Sequence, residues 1–126
     1  MKIYIASHSQ REAYAASFIL NRDGFEITSR WHDNPDFLPT VSYTAEQRVA
    51  IAQEDFNHVT LADVVIILAG PEKYAGGKFV EAGIAIGQGK LVVNVGRREN
   101  MLMWLPCIHS VDDIESASRF LNNMNS

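Results

Sequence analysis

Two acidic residues of this chain have the type and placement for nucleophilic or acid-base chemistry. Glu81 lies in the first turn or two of a helix predicted to follow a buried strand at Val64–Leu68, and Asp55 lies on the helix predicted before that strand. Ligands bind at the carboxyl ends of parallel strands, where a helix N-terminus adds positive partial charge. We therefore expect Glu81 to be ionised and to share a pocket with Asp55. Paired carboxylates suit glycosidic chemistry, in which one acid attacks or stabilises an anomeric carbon and a second group orients the sugar or moves protons.

Both acids also have simpler explanations. For Glu81, the simpler explanation is an interaction with the helix dipole alone, which is worth ~0.3 to 1 kcal/mol. Asp55 could be a solvated helical acid, although the helical projection places it on the border of the buried face while Glu54 points to solvent. The residue types alone leave both interpretations open.

Polar side chains follow the first predicted strand and open the next helix. Hydroxyls, backbone N–H groups and a guanidinium at a helix N-terminus can bind phosphate, although the same residue types also make an ordinary helix cap. The residues of this group are Ser7, His8, Ser9 and Arg11. The sequence thus predicts either a phosphate-binding corner or a cap.

Two further segments contribute candidate contacts to a ligand. Residues 31–43 contain two prolines and no hydrophobic period. A loop of this length is usually functional or mobile, so we expect Trp31 at its start to contact the substrate. Gly76 and Gly77 allow close backbone approach to a ligand, although any tight connection from strand to helix uses glycine.

The elements that must position these residues alternate between strand and helix. Val64–Leu68 has the unbroken apolar run of a strand covered on both faces, and four other strand-like segments alternate with helical ones. This pattern predicts one α/β domain over residues 1–126, with a doubly wound parallel sheet in flavodoxin-like order 2-1-3-4-5 and helices on both faces. The switch point of that order lies between strands one and three, where the segments 7–11 and 70–77 meet.

Apolar spacing also predicts which side chains are buried. A capping box at residues 44–47 begins the helix that carries Asp55, and its apolar positions recur at helical spacing. The predicted buried face consists of Val49, Ala52, Phe56 and Val59. Cys107 lies in a short apolar stretch and is predicted to be core.

Composition and charge restrict the partners. The chain has 47% apolar residues, a formal charge of −4 and a pI near 5.5, so it has no basic surface for a nucleic-acid polymer, whereas a small anionic ligand is compatible. No signal-peptide segment and no run of 18 apolar residues is present, which predicts a soluble, cytoplasmic protein without a membrane partner. The four histidines lack metal-ligand spacing, so no metal is expected.

Two common occupants of this fold fit the sequence poorly. A response-regulator receiver needs an acidic cluster after strand one and a phosphate-accepting aspartate at the end of strand three, where this chain has residues 7–9 and Ala69. A flavodoxin needs a hydroxyl-rich phosphate loop and aromatic walls for its ring system, and Ser7 and Ser9 supply only half of the first requirement.

The chain resembles a known family in several segments that occur in the same order. MKIYIAS at the start, LADVV at the third strand and GGKFVEAGIAIGQGK after it are similar to the nucleoside 2-deoxyribosyltransferase-like family, which includes 2'-deoxynucleoside 5'-phosphate N-hydrolases. The similarity covers nearly the whole chain, and its most specific part is the acid in the frame from Glu81 to Lys90. It implies that Glu81 is the nucleophile that attacks C1' and expels the base, that Tyr4 hydrogen-bonds this carboxylate, and that Asp55 contacts the sugar.

The resemblance also implies a site shared between subunits. Asn100, Met101 and Leu102 match the family segment that reaches into the neighbouring subunit's site, so we expect a homodimer or a higher homo-oligomer. Ser7 and His8 fall where phosphate-accepting members of the family have small and hydroxyl residues.

One position departs from the family. Transferases of the family have a second aspartate six residues before the nucleophile, and this chain has Ala75 there. The departure favours hydrolysis over base exchange. We therefore expect an N-glycosidase that acts on a 2'-deoxynucleoside 5'-monophosphate without a cofactor. A nucleoside 2-deoxyribosyltransferase and a non-catalytic nucleotide-binding module are the alternatives.

Overall fold

Strands and helices alternate along the chain in the computed structural model, which describes residues 1–33, 43–70 and 76–125. The strands are β1 (Lys2–Ala6), β2 (Glu26–Ile27), β3 (Val64–Leu68), β4 (Leu91–Val95) and β5 (Ile108–Val111). The helices are α1 (Gln10–Arg22), α2 (Ala45–Leu61), α3 (Gly77–Gly87) and α4 (Ile114–Asn125), with a 3-10 helix at Met101–Trp104. The predicted alternation of strand and helix is confirmed.

The five strands form one parallel sheet in the predicted order β2-β1-β3-β4-β5. All five side chains of β3 are buried, because helices cover both faces of the sheet. One core lies under α1 and α4, and the other lies under α2 and α3. Side chains alternate between the two faces, so Tyr4 of β1 and its neighbour Val65 of β3 both face the α2 and α3 side.

The ends of α2 show how local sequence fixes a helix. The Thr44 hydroxyl accepts from the Gln47 N–H and the Gln47 side chain accepts from the Thr44 N–H, which is the predicted capping box. At the other end, the Lys90 ammonium donates to the carbonyl oxygens of Val59, at 2.9 Å, and Thr60. The lysine that closes the GGKFVEAGIAIGQGK frame therefore holds the carboxyl end of α2.

The predicted buried face of α2 is wrong over most of its length. Val59 is fully buried, but Val49 is 57% exposed and Phe56 is 47% exposed. Seventeen residues of helix are ~25 Å long, whereas the five residues of β3 span ~16 Å. Because a crossover helix runs antiparallel to the strands it connects, the first part of α2 extends past the carboxyl edge of the sheet.

Cys107 is exposed, and its prediction as a core residue is also wrong. The cysteine precedes β5, and the buried residue at this point is Ile108, the first residue of the strand. Among the described residues, no helix is long and apolar enough to cross a membrane. The same residues contain no cluster of three or more side chains that could hold a metal ion.

Candidate active site

Glu81 and Tyr4 are joined by a hydrogen bond between helix and sheet. Tyr4 is fully buried in β1, and its hydroxyl donates to Oε2 of Glu81, the fifth residue of α3. Glu81 is half-buried, because α3 packs on the sheet through the neighbouring Ala82 and Ala85. The two residues that the resemblance pairs as nucleophile and positioning hydroxyl thus lie in contact.

Burial raises the pKa of Glu81 from 4.5 to about 7. Burial therefore opposes the expected ionisation of Glu81, since a carboxyl group is half ionised at a pH equal to its pKa. Glu81 lies beyond the first turn of α3, where the field of the helix N-terminus has weakened and desolvation dominates. The Tyr4 hydroxyl acts in the opposite direction, because its hydrogen bond stabilises the ionised form.

Asp55 and Glu81 line the same pocket at the carboxyl edge of the sheet. Its volume is about 320 Å³. The described lining residues are Ala52, Asp55, Phe56, Gly77, Val80, Glu81 and Ile84. Burial raises the pKa of Asp55, while nearby His58 lowers it. Ala52 and Phe56, which the sequence places in the core, border this pocket instead because α2 extends past the sheet.

The N-terminus of α3 opens toward the same pocket. Gly77 is a lining residue, and a Cβ atom added there would meet no atom beyond its own helix turn and chain neighbours within 4 Å. Gly76 occupies the N-cap position and makes no side-chain cap hydrogen bond. An anionic or hydroxyl group of a ligand could therefore take this place.

The polar group after β1 lies outside the described lining of this pocket. The Ser7 hydroxyl accepts from the Ser9 N–H at 3.0 Å, and the Ser9 hydroxyl accepts from the Glu12 N–H at 3.2 Å, so Ser9 caps α1. His8 packs on Gly70, where an added Cβ would lie 2.2 Å from its Nδ1 atom. Arg11 is exposed in the first turn of α1. These contacts meet the requirements of a cap and do not by themselves indicate a ligand.

Trp31 is held by the fold and does not line the pocket of Glu81. Its indole N–H donates to the Ile5 carbonyl at 2.8 Å, and its own carbonyl accepts from the Gln10 side chain at 3.0 Å. The loop that begins at Trp31 is predicted to be functional or mobile, and its residues 34–42 lie outside the described residues. Ala75, the position that departs from the family, also lies outside them.

The candidate intersubunit segment lies on the surface of the chain. The Asn100 side chain accepts from the Leu102 N–H at 3.0 Å and caps the 3-10 helix. Met101 is 84% exposed and Leu102 is 65% exposed, while Met103 is buried. Asn100, Met101 and Leu102 do not line the described pocket of their own chain.

Sequence reasoning missed a buried ion pair beside this site. Lys78 of α3 is only 6% exposed, and its ammonium lies 2.7 Å from Oε2 of Glu99. It also donates to the Leu68 carbonyl at 3.1 Å. The available signal was position, because Lys78 precedes Ala82 and Ala85 by four and seven residues and so lies on their buried face.

Comparison with known proteins gives neighbours in structure only. No family model and no curated protein sequence matches the chain. A 2-deoxyribosyltransferase from the psychrotolerant bacterium Bacillus psychrosaccharolyticus superposes with a TM-score of 0.74 at 23% identity, over 94% of this chain and 90% of that one. A CMP N-glycosidase from Clostridium botulinum gives a TM-score of 0.62 at 13% identity, over 98% and 99% of the two chains.

A third solved structure, a conserved protein from Enterococcus faecalis V583, has a TM-score of 0.69 at 16% identity and covers 98% of each chain. Identities this low show a shared fold. The predicted fold is thereby confirmed, and it is the fold of a 2-deoxyribosyltransferase and of a nucleotide N-glycosidase.

Proposed function

We propose that this protein is an N-glycosidase that hydrolyses the base–sugar bond of a 2'-deoxynucleoside 5'-monophosphate, with Glu81 as the nucleophile. The observation that carries the proposal is the half-buried Glu81 carboxylate, which is fixed by the Tyr4 hydroxyl and lines a pocket with Asp55. The folds of a 2-deoxyribosyltransferase and of a CMP N-glycosidase support it.

In the proposed first step, the Glu81 carboxylate attacks C1' of the sugar. The bond from C1' to the base nitrogen breaks, and the base leaves with the bonding electrons and gains a proton. Water then attacks C1' of the glycosyl-enzyme and loses a proton, which balances the proton gained by the base. The bond from C1' to the Glu81 oxygen breaks, so a deoxyribose 5-phosphate is released and the carboxylate is restored. Tyr4 keeps the carboxylate oriented. Holding the substrate against the nucleophile in a reactive geometry, which the whole pocket does, can contribute ~7 kcal/mol or more to lowering the barrier.

Asp55 is proposed to bind the sugar and to move a proton. Its carboxyl group lies in the same pocket as Glu81, and burial raises the pKa of this group while nearby His58 lowers it. The 5'-phosphate is proposed to bind near Ser7, His8, Ser9 and Arg11 together with the N–H groups at Gly76 and Gly77. The N-cap of α3, where Gly76 makes no side-chain cap hydrogen bond, supports the second half of this set.

The oligomeric part of the proposal is a homodimer or a larger assembly with sites completed by Asn100, Met101 and Leu102. Large apolar side chains are exposed around the pocket and on the 3-10 helix. They include Val49, Phe56, Val80, Met101, Leu102 and Trp104. A second copy of the chain would cover apolar surface that a monomer leaves in water.

The test is to incubate the protein with each deoxynucleoside and its 5'-monophosphate, with and without a second free base, and to measure released and exchanged base by chromatography. Base release without an acceptor supports hydrolysis. Base exchange identifies the transferase, which shares the first step, and tight binding without a product identifies a binding module. Glu81→Ala should abolish release, and Glu54→Ala, which removes a 64% exposed acid beside Asp55, should not.

A further inference from the structure

We propose that the buried pair of Lys78 and Glu99 positions Glu81 for the reaction by fixing the start of α3 against the end of β3. This inference rests on the proposed role of Glu81 as nucleophile. Neither Lys78 nor Glu99 lines the described pocket, so both are positioning residues.

The Lys78 ammonium is saturated by its partners. It lies 2.8 Å from Oε1 and 2.7 Å from Oε2 of Glu99, and it donates to the Leu68 carbonyl at 3.1 Å. The side chains of Lys78 and Glu99 are 5% and 9% exposed. A buried ammonium with carboxylate and carbonyl acceptors has few alternative positions, so the pair fixes a distance between elements.

Glu99 also binds the chain that follows β3. Its Oε1 atom accepts from the Gly70 N–H, and the Arg97 guanidinium donates to the Gly70 carbonyl. One carboxylate therefore binds the chain leaving β3 at Gly70 and the chain in the first turn of α3 at Lys78. The connection between β4 and the 3-10 helix supplies both Glu99 and Arg97.

The pair fixes the start of a helix that lacks a side-chain cap. Gly76 at the N-cap makes no side-chain hydrogen bond, so the usual device that fixes the beginning of a helix is absent from the described residues. Lys78 lies one turn before Glu81, so a rotation or shift of this first turn would move the carboxylate away from Tyr4. Burial is the cause of the raised pKa of Glu81. Lys78 therefore determines the position of the Glu81 carboxylate and does not act through its own charge.

A positioning role predicts that kcat falls while the free energy of unfolding stays the same. Replacing both members of a buried ion pair by neutral residues often leaves stability unchanged. We expect the double variant Lys78→Met/Glu99→Gln to lower kcat by about tenfold or more, with KM changed by less than about threefold. Its midpoint in the pH profile of kcat/KM should rise by up to about one pH unit, because a carboxylate moved away from Tyr4 loses the hydrogen bond that stabilises its ionised form. The single variant Lys78→Arg keeps a cation at the Glu99 carboxylate, so its kcat should be at least about half of the wild-type value.

The matched control is Lys90→Met, which removes another partly buried lysine bound to carbonyl groups, at the end of α2. It should lower Tm without changing the kcat of the folded protein. Wild-type kcat in a folded double variant would overturn the inference, as would a loss of rate that disappears when the temperature is lowered to where the variant is fully folded.

Hydrogen exchange distinguishes failure of this inference from failure of the proposed function. Backbone amides in the first two turns of α3 should exchange at least about tenfold faster in the double variant, with those of α1 unchanged. If wild-type protein turns over no nucleotide, the proposed function fails, and the exchange rates still decide whether the pair fixes α3. Unchanged exchange in α3 would overturn the inference.

Discussion

The Tyr4 hydroxyl reaches across from β1 to the Glu81 carboxylate on α3 and is the direct link between the central sheet and the candidate nucleophile. Tyr4 is fully buried between neighbouring strands, so its ring has little freedom to move. A half-buried acid fixed in this way differs from one that only faces a helix dipole, because a specific donor selects the position of one oxygen. The contact also makes the pH dependence of the site testable.

Tyr4→Phe should move the active pH range upward. The nucleophile must be ionised, and burial raises the pKa of Glu81 to about 7, so wild-type kcat/KM should rise with pH and level off above that value. Removing a hydrogen bond to a charged group costs about 1.5 kcal/mol or more, which corresponds to about one pH unit. Through this shift alone, activity of the variant should fall by about fivefold at pH 7, and this loss should almost disappear at pH 9.

The measurement is the pH profile of kcat/KM for both proteins, and Tyr14→Phe is the control because Tyr14 packs edge-on against Phe18 on α1. An unchanged midpoint in Tyr4→Phe would show that the hydroxyl does not stabilise the ionised nucleophile.

Glu81→Gln should abolish turnover and increase stability at high pH. The folded-state pKa of Glu81 is raised from 4.5 to about 7, so its contribution to stability is fully present below pH 4.5 and is lost as the pH rises through 7. A neutral amide does not incur this loss. The free energy of unfolding of the variant should exceed that of wild type by up to about 3 kcal/mol at pH 8, with little difference at pH 4.

Denaturant unfolding at the two pH values measures this difference, and Glu54→Gln, an exposed acid on α2, should show none of it. A Glu81→Gln variant that is less stable than wild type at pH 8 would contradict the desolvated state of the carboxylate.

The sheet was predictable because its signal is local and redundant. The unbroken apolar run of β3, the capping box of α2 and the regular alternation of elements each restrict the fold independently. The site needed more information. The contact between Tyr4 and Glu81 was expected only from the resemblance to a family, since 77 residues separate the two and no pattern in the sequence joins them.

Two failures of sequence reasoning have the same physical origin. The apolar spacing of α2 predicts a buried face, but spacing carries no information on where the sheet beneath the helix ends, so Phe56 borders a pocket instead. Lys78 occupies an apolar position of α3, and its partner Glu99 lies 21 residues away on a connection with no regular pattern. In both cases the deciding fact is a tertiary neighbour.

Arg11→Ala tests the phosphate-binding corner. If the guanidinium in the first turn of α1 binds the 5'-phosphate, the variant should lose about tenfold or more in kcat/KM on the monophosphate and less than about twofold on the nucleoside. The ratio of the two kcat/KM values is the measurement. Arg119→Ala on α4, whose guanidinium bonds to Ser116, should leave the ratio unchanged. Equal losses on both substrates would place the phosphate elsewhere, with the N-terminus of α3 at Gly77 as the next candidate.

Mixed subunits test whether Asn100 completes the site of a neighbouring chain. The residue caps the exposed 3-10 helix and does not line the described pocket of its own chain, so its proposed contact with substrate requires a second copy. Glu81→Ala and Asn100→Ala proteins should each be inactive. After dissociation and reassociation, a mixed dimer would contain one pocket with both wild-type residues. Activity should then return toward a quarter of the wild-type value, because half of the dimers are mixed and each has one intact pocket of two.

Mixing Glu81→Ala with Asp55→Ala is the control, because these residues line one pocket of one chain and no exchange can reunite them. Proven subunit exchange without recovery of activity in the first mixture would mean that each site is built within a single chain.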